Sequence, residues 1–413
     1  MTKVNPTKDY RSLLFVMMLL EIAIWGAWQP KIFAYMGMLQ FSSWQTSLVG
    51  AVFGIASLLG IFFSNQFADR NFSAERFLAF SHVVGGTALI AASYVTHFWG
   101  FFALFLIYGL LYVPTISVTN SLAFAHLKNP AKDFGLVRMG GTVGWIVVSW
   151  PFIFLLSAAA GPDQVRWIFI GGGIISYILA VFSLFLPHTP ARKDLEGLDK
   201  LAWIKAGKLL GLPFVLILFI VTFIDSVIHN GYFVVSDIFL TSRVGISANL
   251  SMVVMSIGQV AEIITMIVLG MVLARLGWKW TMIVGILGHG LRFATFAFLP
   301  DMAWMIIGVQ ILHGICYAFF FAAVYIFVDA VFPHDVRASA QGLFNLLILG
   351  LGMVVASFTF PQLMDHLKLP DGSVDWQTLF LVPTGLAFLA ILLMALFFKP
   401  PSSRPEEVPR GAN

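Results

Sequence analysis

The chain has 413 residues, of which 59% are hydrophobic and only 11% are Asp, Glu, Lys or Arg. An average soluble domain carries about 25% of these charged residues, so a water-soluble protein of this length would need far more charge on its surface. Composition therefore excludes a cytosolic enzyme, a nucleic-acid-binding protein and a disordered scaffold. A disulfide-bonded secreted domain is excluded as well, because Cys316 is the only cysteine.

Long apolar stretches recur along the chain and predict membrane-spanning helices, since about 20 apolar residues are needed to cross a bilayer. Strands of a membrane barrel would alternate over about ten residues, and the run 379–398 does not alternate. The first apolar stretch extends to Met36, so we interpret it as an uncleaved span rather than a signal peptide. The predicted spans are 12–37, 43–66, 77–97, 99–125, 134–157, 166–187, 210–239, 247–273, 278–299, 302–332, 337–364 and 376–398.

The distribution of Lys and Arg predicts the orientation of these spans. Nineteen of the 24 lie on one side, at the two termini and in alternate loops, whereas Lys31 is one of the few on the opposite side. Because Lys and Arg favour the cytoplasmic side, both termini are expected in the cytoplasm. The protein is accordingly expected to be a multi-pass protein of the inner, cytoplasmic membrane.

The polar stretch 188–208 leaves six predicted spans on each side of it. We therefore expect a six-helix half over 1–187, a cytoplasmic linker over 188–208, a second six-helix half over 209–399 and a cytoplasmic tail over 400–413. Arg70 follows the second span and Arg275 follows the eighth, 205 residues later. Duplicated halves are a feature of transporters, whose substrate site lies between the halves near the middle of the membrane.

The loops after the second and eighth spans resemble the repeated motif of the major facilitator superfamily. The first copy keeps Asp69 and Arg70; the second keeps Arg275 and Lys279 but has Ala274 in place of the acid. The resemblance implies an all-α fold of twelve transmembrane helices in two halves. It also implies that Asp69, Arg70 and Arg275 belong to a charge network at the cytoplasmic gate; the alternative role for these charges is to set the topology.

Shorter stretches are similar to the bacterial nucleoside:proton symporter family and occur in the same order along nearly the whole chain. They carry aromatic, amide and acidic residues within the spans. These stretches are 24–28, 112–120, 138–145, 258–262, 291–293, 337–342 and 375–378.

A few ionisable side chains fall inside the predicted spans, where each charge costs about 2.5–3.5 kcal/mol on insertion scales. Such residues are expected to face a cavity or a partner. Gln259 and Glu262 share one face of the eighth span at a spacing of three residues, and an acid beside an amide in mid-helix favours a functional role. The others are Glu21, Asp225, His229, His289, Arg292 and His313.

The family resemblance implies a nucleoside site built from the fifth, seventh, eighth and tenth spans. Trp145 and Tyr317 offer rings that stack on a base. Glu262 accepts hydrogen bonds from ribose hydroxyls, whereas Gln259 and Asn230 can both donate and accept them. The substrate-binding residues implied in this way are Arg138, Thr142, Trp145, Asn230, Gln259, Glu262, His313 and Tyr317.

Structural roles remain open for several of these residues. Arg138 can extend its guanidinium to the membrane surface, and Trp145 can belong to an interfacial aromatic belt. The glycines around Thr142 are predicted to permit close helix packing. Glu21 and Arg292 are predicted to be partners of other buried polar groups, and His289 to be a packed histidine. Asp225 and His229 have either a functional role or form a local ion pair.

Proton coupling needs a group that titrates differently in the two access states. The candidates are Glu262, Asp225, Glu21 and His229. In relatives an acid follows the aromatic residue that corresponds to Tyr317, whereas this chain has Ala318. Coupling then depends on Asp225 or Glu262, or the protein is a uniporter.

We expect a nucleoside importer that works by alternating access and is coupled to protons. The phosphate-binding loop of ATP-driven proteins does not occur. The alternative is a symporter or uniporter for sugars or small aromatic acids; a membrane enzyme and a receptor are less favoured. The expected partners are a nucleoside, protons and the lipid bilayer, with no nucleic acid, metal or cofactor, and the family implies a monomer.

Overall fold

The computed structural model describes residues 9–60, 72–128, 130–191, 207–332 and 337–401, and these residues form an all-helical bundle. Among them, nine helices are long and apolar enough to cross a membrane. The helices are α1 Arg11–Met38, α2 Ser43–Leu59, α3 Ala74–Ala92, α4 Phe98–His126, α5 Pro130–Ser149, α6 Pro162–Ser183, α7 Pro213–Ser242, α8 251–276, α9 278–298, α10 Ala303–Val331, α11 337–366 and α12 Trp376–Phe397.

Helices α8 and α9 follow one another through a break at Gly277. A continuous helix of the 48 residues Ser251–Phe298 would be about 72 Å long at the usual rise, more than twice the apolar thickness of a bilayer. Gly277 has φ 70° and ψ 176°, a conformation that glycine adopts without steric cost. The chain therefore reverses here and forms two helices.

Helices α1, α10 and α11 are interrupted within their length. In α1 a turn over 29–31 separates Arg11–Trp28 from Ile32–Met38. Helix α10 contains the wider π turn Tyr317–Ala322, and α11 contains another over Leu346–Leu351. Such π turns are frequent at functional sites, and Lys31 and Tyr317 at two of these interruptions take part in the contacts described below.

Helices α1 and α5 pack at very short range through glycine. A Cβ atom on Gly144 would overlap the carbonyl oxygen of Leu19, and one on Gly140 would overlap that of Phe15. The prediction that the glycines around Thr142 permit close helix packing is confirmed. This close approach fixes the height at which α5 presents Thr142 and Trp145.

The two ends of the bundle differ in how helices α1–α6, called here the first half, meet helices α7–α12, called the second half. Tyr10, His126 and Thr189 lie together at one end of the bundle. We call this the linker end, because the chain passes here from α6 into the predicted linker. At the opposite, far end, the amide of Ala248 donates to the carbonyl of Ala158 at 3.0 Å. The Trp44 and Phe358 rings of α2 and α11 lie 5.3 Å apart there.

A buried ion pair also joins the halves at the far end. Lys31 Nζ in α1 lies 2.9 Å from Asp237 Oδ1 in α7 and 2.9 Å from Ser251 Oγ at the start of α8. Lys31 is 1% exposed and Asp237 is 3% exposed. This pair carries charges of opposite sign from the two halves and lies away from water.

Substituting Gly144 tests the packing of α1 on α5. Gly144→Ala forces a Cβ against backbone, and overpacking of this kind costs about 1–3 kcal/mol. We expect a lower melting temperature for the purified protein in detergent. Gly135→Ala in the same helix is the control, because a Cβ there meets open space and alanine favours a helix by about 0.5–1 kcal/mol. Equal melting temperatures for the two variants would contradict this packing.

Candidate functional site

A cavity of about 210 Å³ lies between the two halves. It extends from Trp25 and Asn230 in the middle of α1 and α7 to Gly60 and Gly342, toward the linker end of α2 and α11. The lining of the cavity thus extends toward the linker end, while at the far end the contacts described above join the halves. Its lining residues are Trp25, Phe53, Ser57, Gly60, Val113, Pro114, Ile116, Ser117, Asn230, Gly342, Asn345, Leu349 and Met353.

A hydrogen bond between side chains joins α5 of one half to α8 of the other. Thr142 Oγ1 donates to Glu262 Oε1 at 3.2 Å. Arg138 lies one turn before Thr142 and interacts electrostatically with Glu262, while the Gln259 Oε1 atom, one turn away on α8, has no hydrogen-bond partner among the described residues. Thr142 and Glu262 therefore meet at the junction of the halves, with Arg138 and Gln259 one turn away on the same two helices; none of these four is among the residues that line the cavity.

Trp145 is enclosed by aromatic rings from both halves. Its ring lies 5.8 Å from that of Trp25 in α1 and 5.7 Å from that of Phe233 in α7, both with edge-to-face geometry. Only 8% of Trp145 is exposed, which does not fit a lipid-facing belt residue. Trp145 instead supports Trp25, whose side chain lines the cavity.

Histidines and a tyrosine from α7 and α10 continue this region into the second half. His229 stacks on His313 with ring centroids 5.0 Å apart, and it lies 6.1 Å from Tyr317. Asn230 Nδ2 donates to the carbonyl of Ser226 at 2.8 Å, and Asn230 also lines the cavity. His229, His313 and Tyr317 thus form one layer beside Asn230.

Behind this layer is a buried polar cluster. Arg292 Nη1 donates to His313 Nδ1 at 2.8 Å, and its guanidinium lies 4.0 Å from the centre of the Tyr232 ring. Arg292 is therefore a partner of other buried polar groups, as its sequence context predicts. Asp225 Oδ1 lies 2.9 Å from His289 Nδ1, so the local pair of Asp225 with His229 is replaced by a pair with α9.

Glu21 lies in a separate cluster inside the first half. Its Oε1 atom accepts from Thr115 Oγ1 at 2.7 Å, and its Oε2 atom lies 3.0 Å from His82 Nε2. The side chain is fully buried and is absent from the cavity lining. Glu21 is thus a partner of other buried polar groups, and the structure does not bring it to Glu262.

The three gate candidates are only partly within the described residues. Asp69 and Arg70 lie outside them, whereas Arg275 is exposed at the linker end of α8. In the sequence, Lys31 counts only as one of the few positive charges on the side away from the termini, and Asp237 is not among the candidate residues. The signal that would have found the pair is the position of Lys31 inside the predicted span 12–37, because a lysine at that depth needs a partner.

The chain is similar to known transporters. Residues 9–403 match the family described as "Nucleoside H+ symporter". The chain is 30% identical to the xanthosine permease of Escherichia coli (strain K12) over 400 residues, which is 92% of this chain and 94% of that protein. It is 28% identical over 408 residues to the nucleoside permease NupG of the same organism, covering 93% and 95% of the two chains.

A crystal structure of a point variant of the nucleoside transporter NupG superposes with a TM-score of 0.84. That structure is 25% identical in sequence, and the match covers 95% of this chain and all of the other. The chain belongs to the nucleoside:H⁺ symporter family, and its function is the proton-coupled import of nucleosides.

Proposed function

We propose that the nucleoside binds in the cavity between the halves, beside the Thr142–Glu262 hydrogen bond. That bond carries the proposal, because it places one polar side chain from each half at the junction that alternating access must open and close. The Glu262 carboxylate and the Gln259 amide suit ribose hydroxyls. Trp25 and Tyr317 offer rings for the base, Trp145 supports Trp25, and Asn230 adds an amide at the cavity wall.

Arg138 and His313 have supporting roles in this proposal. Arg138 lies one turn before Thr142 on α5 and interacts electrostatically with Glu262, so it brings a positive charge to this part of the proposed site. Arg292 Nη1 donates a hydrogen bond to His313 Nδ1 at 2.8 Å, and the His313 ring stacks on that of His229. These contacts hold the two histidines in place beside Tyr317. A nucleoside would thus meet a preorganised polar wall in each half.

We also propose a twelve-span topology with both termini in the cytoplasm of the cell. The nine candidate spans include Ser251–Phe298 as one span, but Gly277 divides it into α8 and α9, which makes ten. Helix α2 is apolar but has only 17 residues, and α3 has 19; with these two the count reaches twelve. The excess of Lys and Arg at the linker end supports the orientation, and we place the protein in the inner membrane as a monomer.

We infer that the halves are open toward the cytoplasm. The lining of the cavity extends toward the linker end, whereas Lys31, Asp237 and Ser251 join the halves at the far end through a buried ion pair and hydrogen bonds. Opening to the outside must separate Lys31 from Asp237, since they belong to different halves. The pair thus acts as the outer gate of the alternating-access cycle.

Transport itself is tested with purified protein in proteoliposomes. We expect saturable uptake of radiolabelled uridine that is competed by adenosine but not by phenylpropionate or a sugar. Nucleosides offer the stacking base and ribose hydroxyls that this cavity suits, whereas the other two compounds offer only one of these. Absence of uridine uptake, or uptake that adenosine does not reduce, would contradict the nucleoside site. Uptake reduced by a sugar but not by adenosine would favour the sugar-transporter alternative.

The role of Glu262 is tested by Glu262→Gln. Hydrogen bonds to a charged group contribute about 1.5–3 kcal/mol, so we expect uridine exchange at low substrate concentration to fall by about 10- to 100-fold. Asp371→Asn, in an exposed loop, is the control and should exchange uridine like the unmodified protein. Unchanged exchange in Glu262→Gln would remove Glu262 from the substrate site.

The outer gate is tested by Lys31→Met. This change leaves Asp237 as a buried charge without its partner, so we expect the far end to open more often. A reporter cysteine at Ser357, which is 1% exposed and faces Gly50 of α2, should react faster with a membrane-impermeant thiol reagent added outside cells. Lys368→Met changes an exposed lysine and should leave the rate unchanged. Equal rates for both variants would contradict the gate.

A further inference from the structure

The two halves contain the same kind of buried pair at matching positions. Glu21 on α1 pairs with His82 on α3, and Asp225 on α7 pairs with His289 on α9. The acids are 204 residues apart and the histidines 207 residues apart, close to the 205 residues between Arg70 and Arg275. The carboxylate–imidazole pair is therefore part of the internal repeat, and its two copies can be compared.

The copy in the first half has its hydrogen-bonding groups occupied. Thr115 Oγ1 donates to one oxygen of Glu21, and His82 Nε2 lies 3.0 Å from the other. His82 Nδ1 in turn lies 3.2 Å from Ser176 Oγ, and the Tyr112 hydroxyl donates to the Glu21 carbonyl. Every polar side-chain atom of Glu21 and His82 thus has a hydrogen-bond partner among the described residues, so this copy suits a structural role.

The copy in the second half is incompletely bonded. Asp225 Oδ2 and His289 Nε2 have no hydrogen-bond partner among the described residues, and both side chains are fully buried. Leaving a buried polar atom unpaired costs about 1–3 kcal/mol, more for a charged group. Such exceptions need a specific explanation, and the free oxygen of Asp225 offers one, because it can take a proton without breaking the contact between Asp225 and His289.

Several titratable or charged groups surround Asp225. His229 lies on the same helix, one turn away; α9 contributes His289 and Arg292, whose charge acts on Asp225. Helix α10 contributes Cys316, His313 and Tyr317, and α8 carries Glu262. Helix α12 has no titratable residue in Trp376–Phe397, and those of α11, Arg337, Asp365 and His366, lie at its ends.

A short chain of rings connects Asp225 with the substrate region. The His289 ring lies 5.6 Å from the His229 ring, which lies 6.1 Å from the Tyr317 ring. His229 also precedes Asn230, which lines the cavity. A change of charge at Asp225 is therefore within two side chains of the residues proposed to face the nucleoside.

We propose that Asp225 is the proton-binding group of symport and that His289 is the residue that positions it. One proton adds to Asp225 Oδ2 and removes the negative charge from the buried pair, while His289 Nδ1 keeps its contact with Oδ1. Loss of the proton restores the carboxylate facing Arg292. This inference rests on the proposed transport function, which it deepens by separating proton binding at Asp225 from substrate binding at Glu262.

The test compares Asp225→Asn with the matched change Glu21→Gln in proteoliposomes. Uridine counterflow without a pH gradient measures substrate exchange, and accumulation driven by an inwardly directed proton gradient measures coupling. We expect Asp225→Asn to keep counterflow within about twofold, while gradient-driven accumulation falls at least tenfold. Glu21→Gln should keep the ratio of accumulation to counterflow even if less protein is recovered. An unchanged ratio in Asp225→Asn would overturn the proposal.

Further variants keep the test decisive if Asp225→Asn does not fold. Asp225→Glu should restore gradient-driven accumulation, and His289→Asn should shift the pH at which accumulation is half-maximal, whereas His82→Asn should not. The proposal would be overturned if His289→Asn and the unmodified protein had the same pH profile and the same ratio of accumulation to counterflow. Absence of counterflow in the unmodified protein would instead contradict the transport function itself.

Discussion

An ionised side chain inside a membrane protein must find a partner or a water-filled space, because the surrounding hydrocarbon offers neither. The described interior of this bundle follows that constraint at each of its acids. Lys31 meets Asp237 at the far end, Thr142 meets Glu262 at the junction of the halves, and the remaining acids meet histidines. Since two of these contacts join the halves, the same electrostatic requirement that stabilises the bundle also decides where it can open.

The asymmetry between the ends follows from how the chain packs. Close packing and a buried ion pair bring the halves together at the far end, whereas the lining of the cavity extends to the linker end. The two halves of such a bundle can rock against each other, and so alternate access to the site, when their interface has two alternative sets of contacts. The Lys31–Asp237 pair belongs to one set, and it has to be replaced by water or by other partners when the halves tilt the other way.

Much of the architecture could be predicted from the sequence, since spans and their orientation depend on local apolar length and on charge. The placement of Gln259 and Glu262 on one face of α8 could also be predicted, because they are three residues apart in one helix. The partner of Asp225 was not, since the i,i+4 spacing favours His229, whereas the contact is made across helices by His289. Likewise the family resemblance implied that Trp145 stacks on a base, whereas in the structure Trp25 and Phe233 enclose its ring and Trp25 lines the cavity. The linker and tail predicted over 188–208 and 400–413 lie largely outside the described residues and stay predictions.

In this protein the entry of a nucleoside is coupled to the entry of protons. The most direct measurement is the external pH of a lightly buffered suspension of proteoliposomes when uridine is added with no gradient imposed. We predict that the external pH rises as uridine enters, and that it does not change when an impermeant sugar is added instead. Uridine entry with no change in pH would contradict the account and make the protein a uniporter.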